Sequence, residues 1–495
     1  MRVDTESTIQ VDPSMVLRYV IPFAFSAGYQ SQCQVLDEAE KWKRCRWTDR
    51  ASAVYAHLYD SVYGDPERSM GSSWQYDFHN KRPLLRYQPG TDENKFCLLR
   101  LTAAGIHLFQ TNVGLLWYEV TVANKKEVLS LAELTRLQNR FKDCSSTGKS
   151  FSMERPRHSK TEQEFDPLDM ARWTEELLRP LGQLYYLNGS CLKDGRVCPD
   201  KALIFNYALL KGEKNVEEAQ LQIAAFRLAN GYTEKYFPSQ EALEVAIHPF
   251  QDVCIYASRS GCGFYAIENE GNGAFYSGNF NQNIRDEYFF LYILTLYQSF
   301  SLMNYARISA IEYPSDPEQY HVASQIGLRL NHFLAELNTF LMKGIYTSVS
   351  SVQHHNEFYN YLKKRLMIYE DIESIKIGTE ALGELQHMLR EQEEAKLRAQ
   401  EDDERVQQEQ SLNIALAFLS LTSLFAVFQD MDDLIDRLRA VKFSFLWQSI
   451  CSCNWTVIGE LIIYLTVMVV VCLCIGTLVR NMLARRKRKK NPKKK

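Results

Sequence analysis

Four aspartates stand close together in the stretch QDMDDLID, at Asp430, Asp432, Asp433 and Asp436. Carboxylates are hard oxygen ligands, and a ring of them repeated by symmetry attracts Mg²⁺ or another divalent cation, commonly through the ion's own hydration water. The residues before them carry a second pattern. Steps of seven give Asn413, Ser420 and Val427 in one series and Ala417 and Leu424 in the next, with Ser423 and Asp430 on the flank. Seven-residue spacing keeps one helix face turned to a common axis when copies wrap around one another. Small and polar side chains on such a face, in an otherwise apolar segment, suit a hydrated pore, because polar groups inside a bilayer face protein or water. Asn413, Ala417, Ser420, Ser423, Leu424, Val427 and Asp430 are therefore expected to line a cation path, and Asp430, Asp432, Asp433 and Asp436 to collect metal ions at its mouth. The same hydroxyls read differently if they bond back to their own helix or to a neighbouring one.

Other chemistry is scarce. The stretch SSTGKS (145–150) resembles the end of a phosphate-binding loop, but the position of the earlier glycine is held by Asp143, whose charge would repel a phosphate. His354 and His355 are adjacent, so on a helix they diverge and make a poor metal pair. No G-x-S-x-G or H-E-x-x-H occurs, and no enzyme activity is expected.

The elements that must position these residues follow from hydropathy and charge. Leu461 to Val479 is a near-continuous apolar run of about 19 residues, about 28 Å as a helix, close to the ~30 Å of a bilayer core. It leads into a tail, 480–495, with ten Lys and Arg and no acid, which the positive-inside rule keeps in the cytoplasm. The N-terminus lacks the pattern of an export signal, so the bulk is expected on the same side, and an even number of crossings is required. Leu412 to Phe428 is the best second span; Tyr288 to Ala306 is uncharged but has polar residues all round and reads as a buried helix. The expected architecture is an α/β cytoplasmic domain followed by a long helical stalk and a C-terminal two-helix transmembrane hairpin. Its parts are a mixed α/β domain (1–310), the stalk (311–411), a pore helix (412–428), an outer loop (429–460), a second span (461–479) and the basic tail (480–495). The location implied is a bacterial inner membrane, multi-pass, with both termini cytoplasmic.

Removing the tail's ten cations from the formal net charge of −3 leaves −13 on the rest, which argues against nucleic acid as a direct partner. The tail fits membrane lipid better. The twelve cysteines show no zinc-like spacing, and only Cys451 and Cys453 fall in the outer loop. Strands are expected near 16–25, 95–109, 113–123, 201–210 and 252–268, the last a hairpin, with a helix over 125–142 and a loop over 143–166. A long helix starting near Ile372 has no strong breaker before the first span, so stalk and pore helix read as one rod.

Together these features resemble the CorA family of divalent-cation channels. RYVIPFAF (18–25), EYFFLYILTLYQSFSLM (287–303) and FLMKGIYTSVSSVQHHNEFYNYLKK (340–364) further resemble a divergent bacterial branch of it. The resemblance implies a homopentamer whose first span lines the pore. The family's Gly-Met-Asn signature is missing, with Gln429, Asp430 and Met431 in its place, so Mg²⁺ selectivity is not carried over. CorA-like proteins without that signature accompany type III CRISPR systems, which implies gating through the cytoplasmic domain by a nucleotide second messenger in antiviral defence. The competing expectation is a membrane-anchored ligand-binding sensor or scaffold that conducts no ions.

Overall fold

The computed structural model describes residues 9–46, 53–79, 82–88, 96–124, 128–154, 164–191, 197–211, 218–233, 235–268, 271–312 and 323–440, with isolated helical positions between 459 and 480. The chain divides into two compact units, Met1–Glu384 and Leu385–Lys495.

The first unit is built on one 15-stranded sheet. Its main path uses β1 (Val16–Phe25), β2 (Leu84–Tyr87), β3 (Cys97–Phe109), β4 (Val113–Val122), β5 (Phe151–Glu154), β6 (Phe165–Pro167), β7 (Leu203–Lys211), β8 (Ile247–Phe250), β9 (Val253–Ser258) and β10 (Gly261–Ile267). Their order across the sheet is β6-β5-β2-β3-β4-β1-β7-β10-β9-β8. Neighbours on this path are antiparallel except β7 and β10, which run parallel and are joined through a helix and the β8–β9 hairpin.

Successive side chains of a strand point to opposite faces, so a strand buried on both sides reads as a nearly unbroken apolar run. β1 is buried along all ten residues. Leu17, Tyr19, Ile21, Phe23 and Phe25 enter one core, and Val16 and Val20 enter the other. Close packing constrains even the glycines: Gly114 lies opposite Phe23, and a Cβ there would stand 2.2 Å from the Phe23 ring.

Helices α1 (Leu131–Phe141) and α2 (Glu218–Asn230) supply residues to the first core. At the start of α1 the Ser130 hydroxyl accepts from Glu133 N at 3.2 Å and the Glu133 carboxylate accepts from Ser130 N at 2.9 Å, a reciprocal capping box. The second core lies under α3 (Phe289–Glu312), α4 (Ala323–Gly344), α5 (Gln353–Arg365) and the first turns of α6 (Ile368–Ala440). The uncharged stretch 288–306 thus packs against protein: Tyr297 stacks on Phe109 with centroids 4.0 Å apart. Its polar groups are served internally, as where the Gln298 amide donates to Gly344 O at 2.7 Å and Tyr359 Oη at 2.8 Å.

The second unit begins inside α6, whose helical backbone continues unbroken past residue 428 to Ala440. Here the sequence expectation is corrected. Among the described residues no helix is long and apolar enough to cross a membrane. The stretch just before the expected first span, 391–409, is charged. The two-helix transmembrane hairpin is not supported, nor are the membrane assignment and the multi-pass inner-membrane location with cytoplasmic termini that depended on it. Nine of the nineteen residues of the expected second span, 461–479, lie outside the described residues, as do Cys451, Cys453 and the tail from 481.

Candidate functional site

The residues expected to line a pore all fall on α6. Asn413, Ala417 and Ser420 are half-buried and Ser423 is exposed. The Ser420 hydroxyl donates to Ala417 O and that of Ser423 to Ser420 O, each at 2.9 Å, so both bond back to their own helix. Leu424, Val427, Asp430, Asp432, Asp433 and Asp436 have helical backbone, but their side chains lie outside the described residues. Among the described residues no group of three or more His, Cys, Asp or Glu could hold a metal ion.

The feature that sets α6 apart is apolar. Leu412, Ile414, Leu416, Phe418, Leu419 and Leu421 are all exposed, Phe418 at 69% and Leu412 at 64%. At 3.6 residues per turn they fall into two stripes. Leu412, Leu416 and Leu419 form one, and Ile414, Phe418 and Leu421 form the other on nearly the opposite side. The small and polar stripe of Asn413, Ala417 and Ser420 runs between them.

The stretch SSTGKS is not a phosphate cradle. Thr147–Lys149 is a short 3-10 turn, and the Thr147 hydroxyl is buried, donating to Leu168 O at 2.8 Å. The Asp143 carboxylate accepts from Ser146 Oγ at 2.8 Å and faces the loop.

The first unit buries a cluster of ion-paired charges beneath one helical turn. Just before α3 the helix widens into a π turn, Ile284–Tyr288, carrying Arg285 and Glu287; such turns concentrate at functional positions. Beneath it Arg18 of β1 and Glu119 of β4 are direct cross-strand partners on the second core's face. Arg18 Nε donates to Glu119 Oε2 at 2.6 Å, Arg285 Nη1 donates to Glu119 Oε1, and Arg18 Nη1 donates to Arg285 O at 2.6 Å. The Arg18 guanidinium also lies 4.2 Å from the centre of the Phe289 ring. Burial alone would raise the Glu119 carboxyl, but the guanidiniums of Arg18 and Arg285 outweigh it and hold it below the usual carboxylate range.

In the same turn Glu287 faces His355. His355, 2% exposed, places Nε2 3.3 Å from Glu287 Oε2 and Nδ1 3.2 Å from the hydroxyl of Ser350, itself 2% exposed. Ser, His and Glu in that sequence of contacts resemble the wiring of a nucleophilic relay. The serine, however, is sealed: its Oγ donates to Ala53 O at 2.7 Å and accepts from Val352 N at 3.0 Å, which leaves no approach for an acyl group. His354 bonds Tyr288 Oη through Nδ1 at 2.9 Å, and its ring centre lies 4.4 Å from that of His355, so the two adjacent imidazoles are in contact and do not diverge as their helical spacing suggested. No local signal in the sequence joins residues 53, 287, 350 and 355; only the tertiary fold brings them together.

No family model, no curated protein and no solved structure matches the chain.

Proposed function

We propose that this protein is a non-enzymatic scaffold whose α/β unit carries the recognition or sensing role and whose α6 assembles several copies of the chain. The observation that carries the reading is the pair of exposed apolar stripes on α6, 412–416–419 and 414–418–421. Six large side chains, each about half exposed or more, present roughly 600 Å² of apolar surface, at the upper end of the largest patch of a typical monomer. Its burial would contribute about 15 kcal/mol at ~25 cal/mol per Å², enough to meet the ~4–15 kcal/mol cost of association.

The placement of the stripes argues for the kind of assembly. A single apolar stripe suits a pair of helices, whereas two stripes either side of a small, polar one give each helix two neighbours. Repeated head to tail, that contact closes into a ring of three or more copies. Asn413, Ala417 and Ser420 would then face the ring's axis, where small side chains allow close approach.

The test is to replace one stripe at a time with serine, Leu412/Leu416/Leu419 or Ile414/Phe418/Leu421, and to measure the mass of the full chain in solution. Either triple variant should reduce the assembly to small species. Assemblies of unchanged size in both would overturn the reading, and so would divalent-cation flux after reconstitution into liposomes.

A further inference from the structure

The charged stretch of α6 ahead of the apolar stripes carries the same two-sided pattern. Residues 391–409 hold eight acids and three bases, every one of them exposed. At about 3.6 residues per turn, Glu391 and Arg398 fall on the side of Leu412 and Leu419, which steps of seven reach from both. Lys396 and Asp403 fall on the side of Ile414 and Leu421. Between the two sides the small stripe of Asn413, Ala417 and Ser420 continues as Ala395, Ala399 and Val406, with the charged Asp402 among them.

Within one chain these charges have little to bind. Arg398 Nη2 donates to Glu394 Oε2 at 3.0 Å, and His387 Nδ1 lies 3.5 Å from Glu391 Oε1, in both cases between exposed neighbours on the same helix. Among the described residues the side chains of Lys396 and Asp403 have no hydrogen-bond or ion-pair partner.

We propose that Glu391 of each copy pairs with Lys396 of the next, and Arg398 with Asp403, so that the charged stretch locks the copies of α6 parallel and in register. This rests on the α6 assembly proposed above and adds its alignment. Copies related by rotation about a ring axis run parallel. In parallel, aligned helices with a seven-residue repeat, a residue on one flank of the core meets the residue about five positions further along the facing flank of its neighbour. Five positions on from Glu391 is Lys396, and five on from Arg398 is Asp403, acid against base and then base against acid. A slip of one heptad in one direction sets Glu391 against Asp403, and in the other Arg398 against Lys396, so each slip exchanges an attraction for a repulsion. Glu401, on the same side as Arg398, faces Asp403 as a like charge and offsets part of the gain. The excess of acids makes copies repel along this stretch, and alignment answers it by setting the scarce bases against acids.

Zero-length carbodiimide cross-linking of the full chain tests the alignment. The reagent joins an amine to a carboxylate in contact, and mixing isotopically light and heavy chains marks, by mass spectrometry, the links made between copies. The expected inter-copy product joins Lys396 to Glu391. An inter-copy link from Lys396 to Asp403, the signature of antiparallel helices, would overturn the proposal, and so would one to Glu384, the mark of a one-heptad slip. Lys396→Glu with Asp403→Lys reverses one flank without changing the net charge. It should raise the dissociation concentration about tenfold or more at low salt, an effect that fades at ~1 M salt. Adding Glu391→Lys and Arg398→Glu to the same chain restores both pairs and should recover wild-type dissociation. A reversed flank that dissociates within twofold of wild type, or no recovery in the combined variant, would overturn the register and leave the stripe assembly standing. A wild-type chain that stays monomeric would overturn both.

Discussion

Removing Glu119 should expose how much of the first unit rests on its buried charges. The carboxylate lies between Arg18 and Arg285, with its side chain and that of Arg18 both under a tenth exposed. Glu119→Ala leaves two guanidiniums facing each other in the second core without the anion that justifies them. Breaking a buried pair by deleting one partner costs about 3–5 kcal/mol, against a total stability of ~5–15 kcal/mol for a domain. Urea unfolding is a suitable assay because Trp117, whose ring centre is 5.1 Å from the Arg18 guanidinium, reports on the site by fluorescence. With a slope of about 3 kcal/mol per M, the midpoint should fall by about 1 M or more. Replacing all three residues by apolar ones, Arg18→Met, Glu119→Leu and Arg285→Met, should recover most of the loss, since the desolvation cost of the charges disappears with them. The sign with pH follows from the depressed carboxyl: its contribution is present above the ordinary carboxylate value and is lost as pH falls through the folded one, and Glu119→Gln should abolish that loss. A midpoint shift under 0.3 M for Glu119→Ala, set against the ~1 M expected, would refute the reasoning.

Three further outcomes are expected. Ser130→Ala removes one half of the capping box on α1 and should cost about 1 kcal/mol of the first unit's stability, read by the same unfolding assay. Gly114→Ala should cost more, about 1–3 kcal/mol, because the new methyl meets the Phe23 ring across the β1–β4 pair. Ser420→Ala should leave assembly unchanged on a sizing column, because the hydroxyl is spent on its own helix.

Much of the first unit was legible from local pattern. Val16–Phe25, Cys97–Phe109, Val113–Val122 and Leu203–Lys211 were readable as strands because burial on both faces turns them into apolar runs, and the pair closed at Ser258–Gly261 as a hairpin because of its glycine. The helix at 289–312 was recognisable as buried from polar residues scattered around it, each now seen with an internal role for Gln298, Ser301 and Asn304. The uninterrupted run of helix formers likewise showed α6 as one rod.

Long-range chemistry was not legible. Arg18 and Glu119 are 101 residues apart, and their pairing depends on a strand register that no local pattern specifies. The π turn has no sequence signature, and without it Arg285 and Glu287 read as ordinary surface charges. The histidines were judged only against each other, whereas their partners, Glu287, Ser350 and Tyr288, come from other segments. On α6 the apolar run from Leu412 was assigned to lipid because hydropathy measures the need for cover without naming what covers it. Among the described residues no helix is long and apolar enough to cross a membrane, and the exposed apolar side chains of α6 lie on two sides of it.

Sedimentation equilibrium of the full-length chain over a wide concentration range is the most direct test of the scaffold reading. The account predicts one species of fixed stoichiometry, three or more copies, with no smaller species at working concentrations. A chain that sediments as a monomer at every concentration, with Phe418 and its neighbours still in water, would contradict it.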